Sequence, residues 1–171
     1  MKKVVLGFGL LLVLAMSYAY ANPTTDPTPE AKAEAINWLT WEEAMEAMEK
    51  EPKKIFVDVY TDWCGWCKRM DASTFTDEDV ISYMNENFYA VKFDAEGRDT
   101  KEYKGRTLEF RPSPGGRRAG VHELAVVLLN GRLGYPSFVY LDEAQESLKI
   151  SPGYKTPDVL LQEMKVIAAG R

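Results

Sequence analysis

Val57-Asp58-Val59-Tyr60-Thr61-Asp62-Trp63-Cys64-Gly65-Trp66-Cys67-Lys68 decides how this chain folds. Its first half completes a nearly continuous apolar run, Lys54 to Tyr60, rich in β-branched and aromatic residues. Such a run predicts a buried central strand. Asp58 sits inside it, where a carboxylate is costly unless it is paired or functional. The second half ends the strand and sets two cysteines three apart, with a helix predicted from Cys64 through Met70. Cys64 and Cys67 are the only cysteines among 171 residues, and His122 is the only histidine. Two cysteines cannot build the multi-bridge framework of a small secreted domain. With one histidine they cannot close a four-ligand structural zinc site either. They act as one pair.

The position of the pair carries its chemistry. A helix N-terminus stabilises an anion through its free N–H groups and dipole, so Cys64 is favoured as a thiolate. Cys67 lies one turn inside and is expected to be less exposed. Cys64 can attack a disulfide in a partner protein, and Cys67 can attack the resulting mixed disulfide to release the product. The short spacing makes that second step intramolecular. A structural bridge over so small a loop adds little stability. A copper(I) site stays open as an alternative, with His122 or a methionine completing the ligands. His122 itself reads as a surface or core histidine rather than a catalyst.

Outward from this segment the chain has ordinary globular composition, 46% apolar and 27% charged. That excludes collagen-like, disordered and multi-pass membrane classes. Residues 1–21 have the three regions of a signal peptide: basic Lys2-Lys3, an apolar run from Val4, and Ala19-Tyr20-Ala21 before Asn22. Cleavage there is expected over retention as a membrane anchor. Without Lys2 and Lys3 the count is 19 basic against 26 acidic, a net charge of -7. An acidic exported chain is a poor candidate for nucleic-acid binding, and its compartment permits disulfides. Residues 22–35, with Pro23, Pro27 and Pro29, read as a flexible linker.

The remaining elements follow from periodicity and breakers. Ile36 to Trp38 predicts a short strand. Thr40 and Glu43 form a capping box before a helix over Trp41 to Glu51. Thr76 is expected to cap a second helix carrying Val80, Ile81 and Met84, and Phe88 to Asp94 is a strand. Residues 95–118 read as a long loop with a helical turn near Tyr103, and Ala119 to Leu129 as an apolar helix. Two strands follow, Ser137–Leu141 and 147–150, with a hairpin turn between them. Thr156-Pro157 opens a last helix with Val159, Leu160, Met164 and Ile167 on its inner face. The order is that of a layered α/β domain. Over residues 98–118 seven cationic side chains face three acidic ones. Such a patch would border the active site and select acidic partners, or stand as a solvated insertion.

The quoted segment, together with Met70, Thr74-Phe75 and Val91-Lys92-Phe93-Asp94, resembles the active-site half of the thioredoxin superfamily. The stretch also resembles the exported bacterial thioredoxin-like branch that carries a Trp-Cys-Gly-Trp-Cys-Lys motif. Gly134-Tyr135-Pro136-Ser137 resembles the family's cis-proline loop, and Gly153 the glycine before its last helix. The resemblance implies a thioredoxin-like fold over residues 36–171. A central mixed β-sheet is flanked by helices, with an insertion at about 95–118 before the cis-proline loop. It implies that Cys64 is the nucleophile and Cys67 the resolving thiol, with Asp58 taking the proton from Cys67. Trp63 would shield the pair, and Trp63, Gly65, Trp66, Tyr135 and a cis Pro136 would meet the substrate. Lys92 stands two residues beyond the family's strand lysine, so it is not expected to pair with Asp58. The function implied is an exported, monomeric thiol–disulfide oxidoreductase. It would reduce protein disulfides, without cofactor or metal, and be recharged by a membrane-embedded electron donor. A redox-silent binding module of the same fold is the remaining alternative.

Overall fold

Six consecutive residues, Ile55–Tyr60, form the strand on which everything else is assembled, and five of them are fully buried. Both faces of this strand are apolar, so it can be satisfied only at the centre of a sheet covered on both sides. The computed structural model describes residues 35–114 and 120–170. The expected signal peptide over 1–21 lies outside the described residues, as does all of the expected linker except Ala35. Arg117 and Arg118 lie outside them too.

In chain order the elements are β1 (Trp38–Leu39), α1 (Trp41–Lys50), β2 (Ile55–Tyr60), α2 (Gly65–Asp71) and α3 (Glu78–Asn87). Then come β3 (Tyr89–Asp94), β4 (Lys101–Tyr103), β5 (Arg106–Leu108), β6 (Phe110–Pro112), β7 (Gly120–His122) and α4 (Glu123–Leu128). β8 (Ser137–Leu141), β9 (Ser147–Pro152) and α5 (Pro157–Ala168) complete the chain. The sheet order is β1-β3-β2-β8-β9. β1 and β2 run parallel to β3, β8 is antiparallel to β2, and β9 is antiparallel to β8. This is the thioredoxin-like fold, a mixed sheet between two helical layers.

Strand alternation divides the core. Ile55, Val57 and Val59 join Trp41, Ala44 and Met48 of α1 and Leu124, Ala125 and Leu128 of α4. Phe56 faces the other way, among Met70 of α2, Val80, Ile81 and Met84 of α3, and Leu160, Met164 and Ile167 of α5. Its ring meets those of Trp38, Phe75, Phe138 and Tyr140 at centroid distances of 5.3–6.4 Å.

Four expectations are corrected. The described part of the 95–118 stretch, residues 95–114, is not a long loop with a helical turn. Lys101–Tyr103 pairs with Arg106–Leu108 across a turn in which Lys104 and Gly105 both have positive φ. That is the two-residue hairpin geometry. Phe110–Pro112 then pairs with Gly120–His122. Ala119 to Leu129 is not one helix, because Gly120 has φ +136 and a Cβ there would lie 2.2 Å from the Arg111 carbonyl oxygen. The helix begins only after His122, whose Nδ1 accepts the Leu124 N–H at 3.0 Å. Asp77 rather than Thr76 caps α3, its Oδ1 accepting from Asp79 and Val80 N–H at 3.1 Å each, while Thr74–Thr76 forms a 3-10 turn. Val159 is exposed, since Leu160, Met164 and Ile167 already fill the inward stripe at i, i+4 and i+7.

Phe56→Ala removes the ring on which four others converge. Equilibrium denaturation is expected to give a loss of about 3–5 kcal/mol relative to the wild type, in line with buried aromatic truncations.

Candidate functional site

The end of β2 delivers the chain into the cysteine pair. Cys64 N–H donates to the Thr61 carbonyl at 3.0 Å, and Cys64 then stands as the N-cap of α2. Its Sγ accepts the Cys67 N–H at 3.1 Å. The two sulfurs are joined as a disulfide, with the Cα atoms 5.3 Å apart. Both residues are buried, at 4% and 3% exposure. The expected difference in exposure between them is therefore absent, because the Cys64 sulfur is turned onto the helix end rather than outward.

The large side chains that the motif presents to solvent include its two tryptophans, 61% and 57% exposed. The Trp63 indole N–H donates to Glu96 Oε1 at 3.1 Å, and its ring stands edge-on to Tyr135 at 5.9 Å. Trp66 leans on Tyr154 at 5.4 Å, with the Arg69 guanidinium over both rings. A Cβ on Gly65 would meet nothing within 4 Å, so the space beside it is open. The Tyr135–Pro136 peptide is cis. The Pro136 carbonyl accepts the Gly153 N–H at 2.8 Å, tying this loop to the end of β9. The fold thus brings the loop before β8 to the start of α2 through the Trp63–Tyr135 contact.

Asp58 is 1% exposed, and its Oδ1 has no hydrogen-bond partner among the described residues. The expectation that Lys92 misses it is corrected. Asp58 and Lys92 are register partners across β2 and β3, and Lys92 Nζ lies 3.5 Å from Asp58 Oδ2. Lys92 also binds Asp71 on α2, and its ammonium lies 5.0–5.4 Å from the ring centroids of Trp38, Tyr60 and Phe75. Burial pushes the Asp58 carboxyl up from its ordinary 3.8 to about 7. The Lys92 charge opposes that rise and the Asp71 carboxylate adds to it.

His122 is a core residue. It is fully buried, its Nε2 meets the Asp99 carbonyl at 2.9 Å, and its ring stands edge-on to Phe93. Because Nδ1 accepts the Leu124 N–H, Nε2 carries the proton and donates. Both nitrogens are therefore engaged, and neither is offered to the cysteines. Among the described residues no group of three His, Cys, Asp or Glu side chains converges to hold a metal ion.

Three contributors were not singled out from the sequence. Glu96 holds the Trp63 indole, and only the turn after β3 brings it there. Tyr154 pairs with Trp66 across 88 residues of chain, with no local signal. Asp71 had one, since it lies four residues after Cys67 and so on the same helix face.

A family model described as "Protein of unknown function, DUF255" (Thioredox_DsbH) matches residues 28–104. Spermatogenesis-associated protein 20 of Rattus norvegicus is 34% identical over 82 residues, 47% of this chain and 10% of that protein. The thiol:disulfide interchange protein DsbD of Campylobacter jejuni is 24% identical over 170 residues, 91% of this chain and 26% of that one. The chain thus spans about a tenth to a quarter of the length of these relatives. Among solved structures, the DsbH oxidoreductase superposes with a TM-score of 0.59 at 18% identity, covering 88% of this chain and 96% of its own. Among the described residues no helix is long and apolar enough to cross a membrane.

Asp58 gives a test of the electrostatics. Its folded-state pKa lies above the unfolded value, so between about pH 4 and 7 the native state binds the extra proton. Its favourable contribution is complete below about pH 4 and is lost as pH rises to about 7. Asp58→Asn is therefore expected to match the wild type near pH 4 and to exceed it at pH 8 by up to about 4 kcal/mol. Urea denaturation of both proteins across that range measures the difference.

Proposed function

We propose that this chain, a thioredoxin-like domain, is an exported protein-disulfide reductase working by dithiol exchange through Cys64 and Cys67. The observation that carries the reading is the Cys64 sulfur at the helix N-cap, with the Cys67 N–H directed at it. The donor that meets the sulfur in the disulfide would stabilise the thiolate of the reduced pair.

The reaction balances without any further group. The Cys64 thiolate attacks one sulfur of the substrate disulfide. The Cys64–substrate bond forms, the substrate S–S bond breaks, and the departing thiolate takes a proton from water. Cys67 gives its proton to the Asp58 carboxylate and attacks Cys64 Sγ. The second substrate sulfur leaves as a thiolate and is protonated in turn. Two electrons have passed from the protein dithiol to the substrate, and the pair ends as the disulfide described above. A membrane-embedded electron donor would restore the dithiol, as the family resemblance implies. A pKa near 7 suits Asp58 to accept and return a proton at neutral pH.

The roles of the surrounding residues rest on their placement. Trp63, Gly65 and Trp66 would form the surface a substrate meets, and Tyr135 and Pro136 would bound the face where its chain lies. The signal over residues 1–21 would direct the chain out of the cytoplasm, and it would act as a monomer. The direction of transfer follows from the family resemblance.

Insulin reduction driven by dithiothreitol tests the reading. The wild type is expected to accelerate precipitation of the insulin chains, and Cys64→Ser to fall to the dithiothreitol background. Cys67→Ser is expected to accumulate a mixed disulfide on Cys64, visible by mass spectrometry and released by reductant. Background-level reduction by the wild type would sink the assignment.

A further inference from the structure

The helix that begins at the cysteines carries two cations that the fold does not use. Lys68 and Arg69 follow Cys67 directly on α2, and both are exposed. Neither has a carboxylate within 4.0 Å among the described residues. The next two acids along the chain are already engaged: Asp71 binds Lys92, and Asp77 caps α3. The insertion behaves differently. There Lys101 binds Glu42, Lys104 binds Glu146 and Arg111 binds Glu123, so three of its described cations are held within the molecule. An attraction for acidic partners, expected of residues 98–118, finds a clearer basis on α2.

Arg69 is also held in place. Its guanidinium lies 5.7 Å from the Trp66 ring centroid and 5.8 Å from that of Tyr154, and the two rings are 5.4 Å apart. Tyr154 belongs to the segment between β9 and α5, which is tied to the turn after α2 where Thr74 Oγ1 donates to the Lys155 carbonyl at 2.6 Å. A guanidinium set against two rings has given up part of its freedom before a partner arrives, and it keeps the planar fork that matches a carboxylate. A partner's acid placed here would gain a charge-assisted hydrogen bond, and the residues beside it would cover the exposed indole of Trp66. A partner's lysine would meet two like charges instead.

We propose that Arg69, assisted by Lys68, is a docking point for an acidic side chain of the disulfide-bonded substrate protein, two or three residues from the cysteine that Cys64 attacks. The inference rests on the exchange reading given above and adds its substrate class. The docking point is formed by α2 and the segment after β9, not by the loop before β8. Its spacing sets the position of the acid. Arg69 lies five residues beyond Cys64, about 7–8 Å along the helix axis. An extended chain advances about 3.3 Å per residue, so two or three residues cover that distance. A charge at the rim of the contact acts on encounter and on the choice among partners, and leaves the sulfur chemistry to the pair itself.

Three substrates separate the possibilities, with dithiothreitol as reductant. They are a small uncharged disulfide and two peptides with internal disulfides, one with glutamates and one with glutamines two and three residues from each cysteine. For the full chain at about 10 mM salt, kcat/KM is expected to favour the glutamate peptide by about fivefold, the upper range for an exposed ion pair. At about 1 M salt the preference is expected to fall to about twofold or less. Arg69→Gln is expected to lower it to about twofold or less at either salt concentration. Lys50→Gln, which removes the same charge from α1 in the other helical layer, is expected to leave it unchanged. Equal turnover of the two peptides by a wild type active on the small disulfide would overturn the docking point and leave the exchange reading intact. A preference that survives Arg69→Gln, or that Lys50→Gln lowers as much, would overturn the part given to Arg69. A wild type inert toward all three substrates would overturn the exchange reading and this inference with it.

Discussion

A carboxylate held inside the central strand is the constraint to which the rest of this structure answers. Asp58 has one oxygen facing Lys92 and the other with no hydrogen-bond partner among the described residues. A group so placed tolerates little rearrangement around it. Lys92 can approach only because β2 and β3 are paired in one register. A slip of one residue would turn it to the other face of the sheet. The same ammonium reaches Asp71 on the helix that begins at the cysteines. Sheet register, the placement of that helix and the protonation of the strand are therefore one linked arrangement.

Much of this was legible in the sequence because the decisive signals are local. The apolar run ending in Tyr60, the C-x-x-C at a predicted helix start and the Thr40–Glu43 capping box each need only a few neighbouring residues. The resemblance to the superfamily located the fold, with Pro136 in its cis-proline loop. What escaped was set by pairing at a distance. Lys92 looked displaced because position along a chain was compared rather than position across strands. His122 looked ordinary because its cap to Leu124 and its bond to Asp99 exist only after β7 forms. Glu96 and Tyr154 meet the tryptophans through loops whose course no periodicity reports.

The insertion was the least legible part. Its strands are three residues each, too short for alternation to rise above composition. Tyr103 nonetheless joins the core beside α1. Its ring stands edge-on to Trp41 at 5.4 Å, and the Trp41 indole N–H donates to the Glu102 carbonyl. Leu108 is buried in the same cluster. The first hairpin is thus a lid on the core rather than a solvated excursion, and two of its three cations, Lys101 and Lys104, are spent on α1 and on the β8–β9 turn. Net charge over a stretch of sequence describes what is available for pairing, and the fold decides how much of it remains for a partner.

The edges of the sheet have a consequence for solubility. β1 is two residues long, and β9 is joined to β8 through a register shift, carries Lys149 and ends in Pro152. Short strands, bulges, lysine and proline are the devices that keep a sheet from templating the pairing of other chains. Unfolded polypeptides with exposed strand-forming segments would be the clients of a disulfide reductase. A protein that meets such chains repeatedly is exposed to co-aggregation at every encounter. By presenting no long flat edge among the described residues, this sheet would offer such chains little to pair with along its sides.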